Sequence, residues 1–212
     1  MVGQGVLLEC LDSGDVSSVV VVGRSPCGVE DHKVVEVLHG DFTDYGSIED
    51  RLIELDTCFF CLGVSAAGMS EEDYRHVTYD FAVRAGETLA RLNPGLVFCY
   101  VSGAGTDSSE KGRSMWARVK GTTENRLLEM PFKAAYMFRP GYIQPMKGVR
   151  SKTRLYQTLY TVMAPFYPLW KTLFPNLVTT TEKVGLAMIR VAQKGFPEQV
   201  LETRDINLLG QR

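Results

Sequence analysis

The sequence predicts an α/β protein built on a doubly wound parallel sheet with a small helical, aromatic region toward its C-terminal end. Strand-like and helix-like segments alternate along the chain, which is the pattern of a parallel sheet with helices on both faces. The strand-like segments, such as VSSVVVVG at 16–23, are β-branched or continuous apolar runs of the kind found in strands covered on both sides. With 212 residues, 45% hydrophobic and 23% charged, the chain suffices for one well-buried core and is short for two, so a single domain over 1–212 is expected.

The elements follow in order. Val6, Leu7, Leu8 and Leu11 recur at helical spacing and predict a helix over Val2 to Leu11. Val16 to Gly23 and Val34 to His39 read as strands, and Ser47 to Glu54 as a short helix. Thr57 to Leu62 (TCFFCL) is an apolar strand. Glu71 to Leu92 reads as one long helix, which Asn93-Pro94-Gly95 ends before the strand Leu96 to Ser102. A helix over Ser114 to Leu128, a strand over Ala134 to Arg139 and a helix over Ser151 to Met163 come next. Thr181, with Glu182 in the first turn, opens a helix that runs to Lys194, and Gln199 to Ile206 reads as the last strand. No repeat, low-complexity tract or long linker divides the chain.

A net charge of -2 and a pI near 6.0 provide no long-range field for nucleic acid or anionic lipid, so any phosphate recognition must be local. The five cysteines, at 10, 27, 58, 61 and 99, sit in or beside apolar runs rather than in a spaced framework, which points to a reducing compartment such as the cytoplasm. Cys58 and Cys61 form a CxxC pair inside an apolar strand, which favours buried thiols over redox chemistry, and no second cluster completes a zinc site. No charged and apolar leader pattern opens the chain, so secretion is not expected. Leu155 to Phe174 is the most aromatic stretch; Pro165, Pro168 and Gln157 make it a poor bilayer span. Three roles stay open for it: packing against the core, an apolar wall or lid over a substrate within 144–180, or an interfacial membrane helix.

Candidate binding residues gather at strand ends. Val2 and Gly3 precede a helix, where the tail of a glycine loop would cradle a pyrophosphate, although a lone terminal glycine otherwise marks only flexibility. Arg24 ends the second strand-like segment, where an acid would hold ribose hydroxyls and an arginine suits a 2′-phosphate, so NADP is favoured over NAD; a solvated loop arginine is the alternative. Asp41 and Phe42 stand where a carboxylate can accept from an adenine amino group, and Asp41 is also a common turn residue. Leu62, Gly63 and Val64 close an apolar strand, and Gly63 would let a ligand approach the backbone. Ser102 ends another strand, fourteen positions before Trp116 and eighteen before Lys120, and the last two are four apart on one helix face. Pro140, Gly141 and Ile143 form a loop suited to the nicotinamide side, and Tyr142 is the nearest downstream phenol.

On the segments MVGQGVLLECL, VVGR, GDF, CFFCLGVS, YVSGAGTDSS, WARVKG and FRPG, which span nearly the whole chain, the sequence resembles the atypical short-chain dehydrogenase/reductases. Within them it is similar to the small NAD(P)-binding proteins of the nucleotide-sugar-epimerase-like and Tat-interacting-oxidoreductase-like type. The resemblance implies a Rossmann sheet, a short C-terminal substrate region, and NADP contacts from Gly3, Arg24, Asp41, Leu62, Gly63, Lys120 and the Pro140 to Ile143 loop. It also implies catalytic positions at Ser102, Trp116 and Lys120, with two departures. Active members carry tyrosine where Trp116 stands, and an indole N–H does not titrate usefully, so the usual proton donor is missing. The family's opening strand and Gly-Ala-Thr-Gly segment have no counterpart here, so the native start is expected upstream of Met1, or else the sheet is expected to show a defect at its centre.

Two functions follow as expectations. One is an NADP-binding, weak oxidoreductase acting on an apolar carbonyl compound, with nucleotide-sugar epimerase or dehydratase chemistry as a variant. The other is a non-catalytic NADP(H)-sensing or protein-interaction module.

Overall fold

The computed structural model describes residues 1–149 and 176–211. The expected helix Ser151 to Met163 and the aromatic stretch Leu155 to Phe174 lie outside the described residues, as does most of the 144–180 lid region. In chain order the elements are α1 (Val2–Asp12), β1 (Val19–Gly23), β2 (Val34–Leu38), a 3-10 turn (Gly46–Arg51) and β3 (Thr57–Phe60). They continue with α2 (Glu71–Arg75), a π-helical turn (His76–Asp80), α3 (Phe81–Leu92), β4 (Val97–Val101), α4 (Met115–Leu128), β5 (Ala134–Arg139) and β6 (Tyr142–Gln144). β7 (Val178–Thr180), α5 (Thr181–Lys194), β8 (Val200–Glu202) and α6 (Thr203–Leu209) complete the chain.

The main sheet has the order β3-β4-β5-β8, all parallel, and helices cover both faces, a Rossmann-like arrangement. β4 shows why its sequence is continuously apolar. Phe98 and Tyr100 enter the core that Leu89 of α3 and Leu127 of α4 also fill, whereas Val97 and Cys99 enter the opposite core with Val6 of α1 and Val184, Met188 and Val191 of α5.

β1 and β2 form a separate parallel pair, and no ladder joins β1 to β3 among the described residues. The pair nevertheless shares both cores with the main sheet. Val20 and Val22 of β1 pack into the same core as Phe60 of β3, and Val19 packs into the same core as Phe59. α1 touches β1 and β3 and so bridges the interruption, at the place where the resemblance implies a strand. The four valines of β1 are only half-buried, unlike the residues of β4.

Helix ends have local causes. Lys33 Nζ donates to the Leu11 carbonyl at 3.0 Å and to that of Ser13 at 2.8 Å, placing a cation on the C-terminus of α1. The Thr180 hydroxyl accepts from Lys183 N at 3.1 Å and caps α5. Asn93 ends α3, and its amide joins Leu52 O at 2.8 Å to Leu55 N at 2.9 Å, which ties the helix end to the loop before β3.

Three sequence expectations are corrected. Gln199 to Ile206 is a strand only over Val200–Glu202; Glu202 and Asp205 then form a reciprocal capping box that starts α6. Glu71 to Leu92 is interrupted by the π-helical turn at His76–Asp80. The loop after Pro140 contains β6, which pairs in parallel with β7, two segments far apart in sequence.

Gly5 sets the spacing of α1 on α5, since a Cβ there would lie 2.5 Å from Thr181 Cβ. Gly5→Leu should lower unfolding free energy by about 1–3 kcal/mol through overpacking. Gly14, where a Cβ would meet nothing within 4 Å, serves as the control, and Gly14→Ala should leave urea stability nearly unchanged. Equal stability of the Gly5 variant and wild type would refute this account.

Candidate functional site

The carboxyl ends of the parallel strands share one edge, and the candidate residues lie along it. Arg24, just beyond β1, is exposed and makes no ion pair among the described residues. Asp41 is exposed, and its Oδ1 accepts from Thr43 N at 2.9 Å and Thr43 Oγ1 at 2.6 Å, bonds that hold the carboxyl below its ordinary pKa. That is the geometry of an Asx turn. Phe42 is buried against Phe81 with ring centroids 5.6 Å apart, so its side chain is core. Val2 and Leu62 are half-buried and pack on the core, while Gly63 and Val64 are exposed beyond β3.

β4 and α4 supply the centre of the site. Lys120 is buried, and its ammonium donates to the Val101 carbonyl at 3.3 Å and lies 5.4 Å from the centroid of Tyr100. Burial lowers its pKa and Glu124 raises it, leaving it at about 8. Trp116, one turn earlier, lies over the Gly103 to Gly105 loop, with Cη2 3.6 Å from where a Gly105 Cβ would stand. Ser102 follows Val101; its hydroxyl meets Glu124 Oε1 at 2.5 Å and the Phe138 carbonyl at 3.1 Å.

Glu124 and Arg139 were not singled out from sequence. Glu124 is buried, and Arg139 at the end of β5 donates to both its oxygens. A signal was present: Trp116, Lys120 and Glu124 recur every four residues on one helix face. Arg139 carried none, because its partner lies fifteen residues away on another element.

On the β5 side, Pro140 is buried and its carbonyl accepts from Ala104 N at 2.9 Å, joining this loop to the one after Ser102. Gly141 N donates to Thr203 Oγ1 at 2.8 Å, and Ile143 is buried in β6. Tyr142 gives its hydroxyl to Gln144 Oε1 at 2.9 Å, so this phenol is engaged within β6. Tyr100 is fully buried and its phenol is pushed far up by burial, which removes it as a substitute proton donor.

Cys58 and Cys61 point into opposite cores, since three residues along a strand reverse the side-chain direction. Burial pushes the Cys61 thiol up to about 12 and raises that of Cys58 as well. No cluster able to hold a metal ion occurs among the described residues, and none of their helices is long and apolar enough to cross a membrane.

A dinucleotide fits what the site offers. Lys120 has three donors, and among the described residues one hydrogen bond uses them, so vicinal ribose hydroxyls would supply the acceptors a buried ammonium lacks. Among the described residues, a Cβ at Gly63 or at Gly103 would meet nothing within 4 Å, which lets a ligand approach the backbone closely there.

The Lys120 charge carries a stability signature. Between pH about 8 and 10.5 the unfolded chain keeps a proton that the folded chain has released, so stability rises with pH across that window and is flat below it. Lys120→Met should abolish this, and urea denaturation of both proteins should show wild type gaining on the variant as pH rises. A constant difference would exclude the buried ammonium.

No family model matches the chain. It is 25% identical over 144 residues to HTATIP2 of Rattus norvegicus, covering 66% of this chain and 58% of that protein's length. In fold it is similar to the Bordetella bronchiseptica enzyme WbmG in complex with NAD, with a TM-score of 0.62, 10% identity, and coverage of 99% of this chain and 74% of that one. It is similar also to a short-chain dehydrogenase/reductase superfamily protein of Agrobacterium tumefaciens with bound NAD, with a TM-score of 0.64, 12% identity, and coverage of 95% and 74%. Kinship in sequence with HTATIP2 and the shared fold together support the resemblance to the atypical short-chain dehydrogenase/reductases that the motifs carry.

Proposed function

We propose that the chain binds a nicotinamide dinucleotide, NADP in preference to NAD, along the carboxyl edge of the sheet, and acts as a weak oxidoreductase on an apolar carbonyl compound and its alcohol. The observation that carries the reading is Lys120: a buried ammonium with one hydrogen bond among the described residues, given to the carbonyl of the residue before Ser102. The similar folds that hold NAD support it. The bound cofactor would supply hydride exchange. Lys120 would hold the nicotinamide ribose, Ser102 would face the substrate oxygen, and Trp116 would cover the cleft beside them.

Choice of NADP rests on Arg24, whose exposed guanidinium suits a 2′-phosphate. One observation favours a second reading, a non-catalytic NADP(H)-sensing module: Trp116 stands where the resemblance implies a phenol. Epimerase or dehydratase chemistry has no residue in its favour beyond the fold.

Fluorescence titration tests binding. Wild type should take up NADPH more tightly than NADH, and Arg24→Ala should remove on the order of tenfold in NADPH affinity while leaving NADH unchanged. Absence of uptake of either coenzyme would defeat the proposal. Trp116→Tyr separates the readings: an enzyme should gain turnover by about 10²- to 10⁴-fold with a new pH dependence, whereas a sensor stays inactive with unchanged affinity.

A further inference from the structure

Ser102 has a single hydroxyl proton, and two acceptors compete for it. Its Oγ is 2.5 Å from Glu124 Oε1 and 3.1 Å from the Phe138 carbonyl. A guanidinium can only donate, so Arg139 makes acceptors of both Glu124 oxygens: its Nε reaches Oε1 at 3.0 Å and Oε2 at 3.2 Å, and its Nη2 closes on Oε2. The pair has little freedom to turn away. The Arg139 side chain is 11% exposed and that of Glu124 1%, while Arg139 Nη2 also donates to Ser108 Oγ at 2.5 Å and Nη1 lies 3.5 Å from Glu202.

Ser102 itself is half-buried and adjoins Gly103, where a Cβ would meet nothing within 4 Å among the described residues. With its proton drawn inward, the hydroxyl has only lone pairs left for a ligand. A ligand carbonyl would set lone pair against lone pair, whereas a ligand hydroxyl donates to Ser102 and completes its bonding.

We propose that Glu124 and Arg139 fix Ser102 as a hydrogen-bond acceptor, and that the cleft thereby selects a ligand hydroxyl over the corresponding carbonyl. The proposal rests on the reading of Ser102 as the substrate-facing residue of the dinucleotide cleft. Glu124 is a positioning residue that acts through Ser102. The consequence for the proposed reaction is a resting site arranged to receive the alcohol, together with the oxidised dinucleotide.

Saturation-transfer NMR on the full chain, with and without NADP, tests this with two matched pairs of probes, cyclohexanol against cyclohexanone and 1-phenylethanol against acetophenone. Each alcohol should bind more tightly than its ketone, on the order of tenfold. Ser102→Ala leaves the buried ion pair in place and should equalise the two, while Ser102→Thr should keep the preference. Glu124→Gln, whose amide oxygen would turn to Arg139 and whose NH₂ would donate to Ser102, leaves the Ser102 proton free to pass between the Phe138 carbonyl and a ligand and should narrow the preference. Equal binding of alcohol and ketone to wild type, or a preference that survives Ser102→Ala, would overturn the proposal. Failure to bind NADP with the preference intact would remove the cofactor reading alone.

Discussion

The parallel ladder between β4 and β5 is the constraint on which the site depends. Its register sets Val101 beside Phe138, and the ladder extends one step further as Ser102 N donates to Phe138 O at 2.9 Å. Ser102 and Arg139 therefore emerge side by side at the same edge. α4 crosses beneath them with Glu124 facing both, and the residue four earlier, Lys120, reaches the Val101 carbonyl. A shift of one residue in this pairing would turn every side chain of β4 to the opposite core, so the hydrophobic cores on the two faces enforce the geometry of the polar edge.

Burial separates the charges that matter to this edge from those that do not. Pairs such as Arg84–Glu87 and Arg126–Glu129 are exposed, and contacts of this kind contribute about 0–1 kcal/mol each. Removing one partner of a buried pair such as Glu124–Arg139 leaves an uncompensated charge, at a cost of about 3–5 kcal/mol. The described edge thus holds a fixed array of cation, anion and cation from Lys120, Glu124 and Arg139.

Much of the fold was legible because its signals are local. The apolar runs of β3, β4 and β5, the four-residue spacing on α4, and the Asn93-Pro94-Gly95 stop are all read within a few neighbours. What was missed depends on contacts distant in sequence. β6 and β7 are three residues each and exist because they pair across more than thirty residues of chain. The end of β8 was misread because Leu201 and Ile206 keep strand-like apolar character, although the Glu202 and Asp205 capping box was visible in the sequence. At the site, Ser102, Trp116 and Lys120 come together around one loop, whereas Asp41 is engaged in its own turn and Phe42 and Ile143 are buried as packing residues. The Glu124–Arg139 pair is not legible in the sequence because a charge on a helix normally reads as solvated; only the tertiary fold turns this one inward.

The chain between β5 and residue 149 shows how the two sides of the sheet are coupled. At one end Arg139 is held by Glu124 of α4; eight residues later Lys147 is held by Glu9 of α1 and by Asp12, the latter at 2.6 Å. Glu9 is as deeply buried as Glu124 and sits against Gly185 of α5, where a Cβ would stand 2.8 Å from its Cγ. Between the two ion pairs, β6 pairs with β7, and Met146 N donates to Thr181 Oγ1 at 3.0 Å. The segment that carries Pro140, Gly141 and Ile143 is therefore pinned to α4 on one face of the sheet and to α1 on the other. α1 also bridges the interruption between β1 and β3, so the helix that holds Lys147 lies against both parts of the layer. The loop that borders Ser102 and the divided layer thus share α1 as a common support, held to it through the buried Glu9.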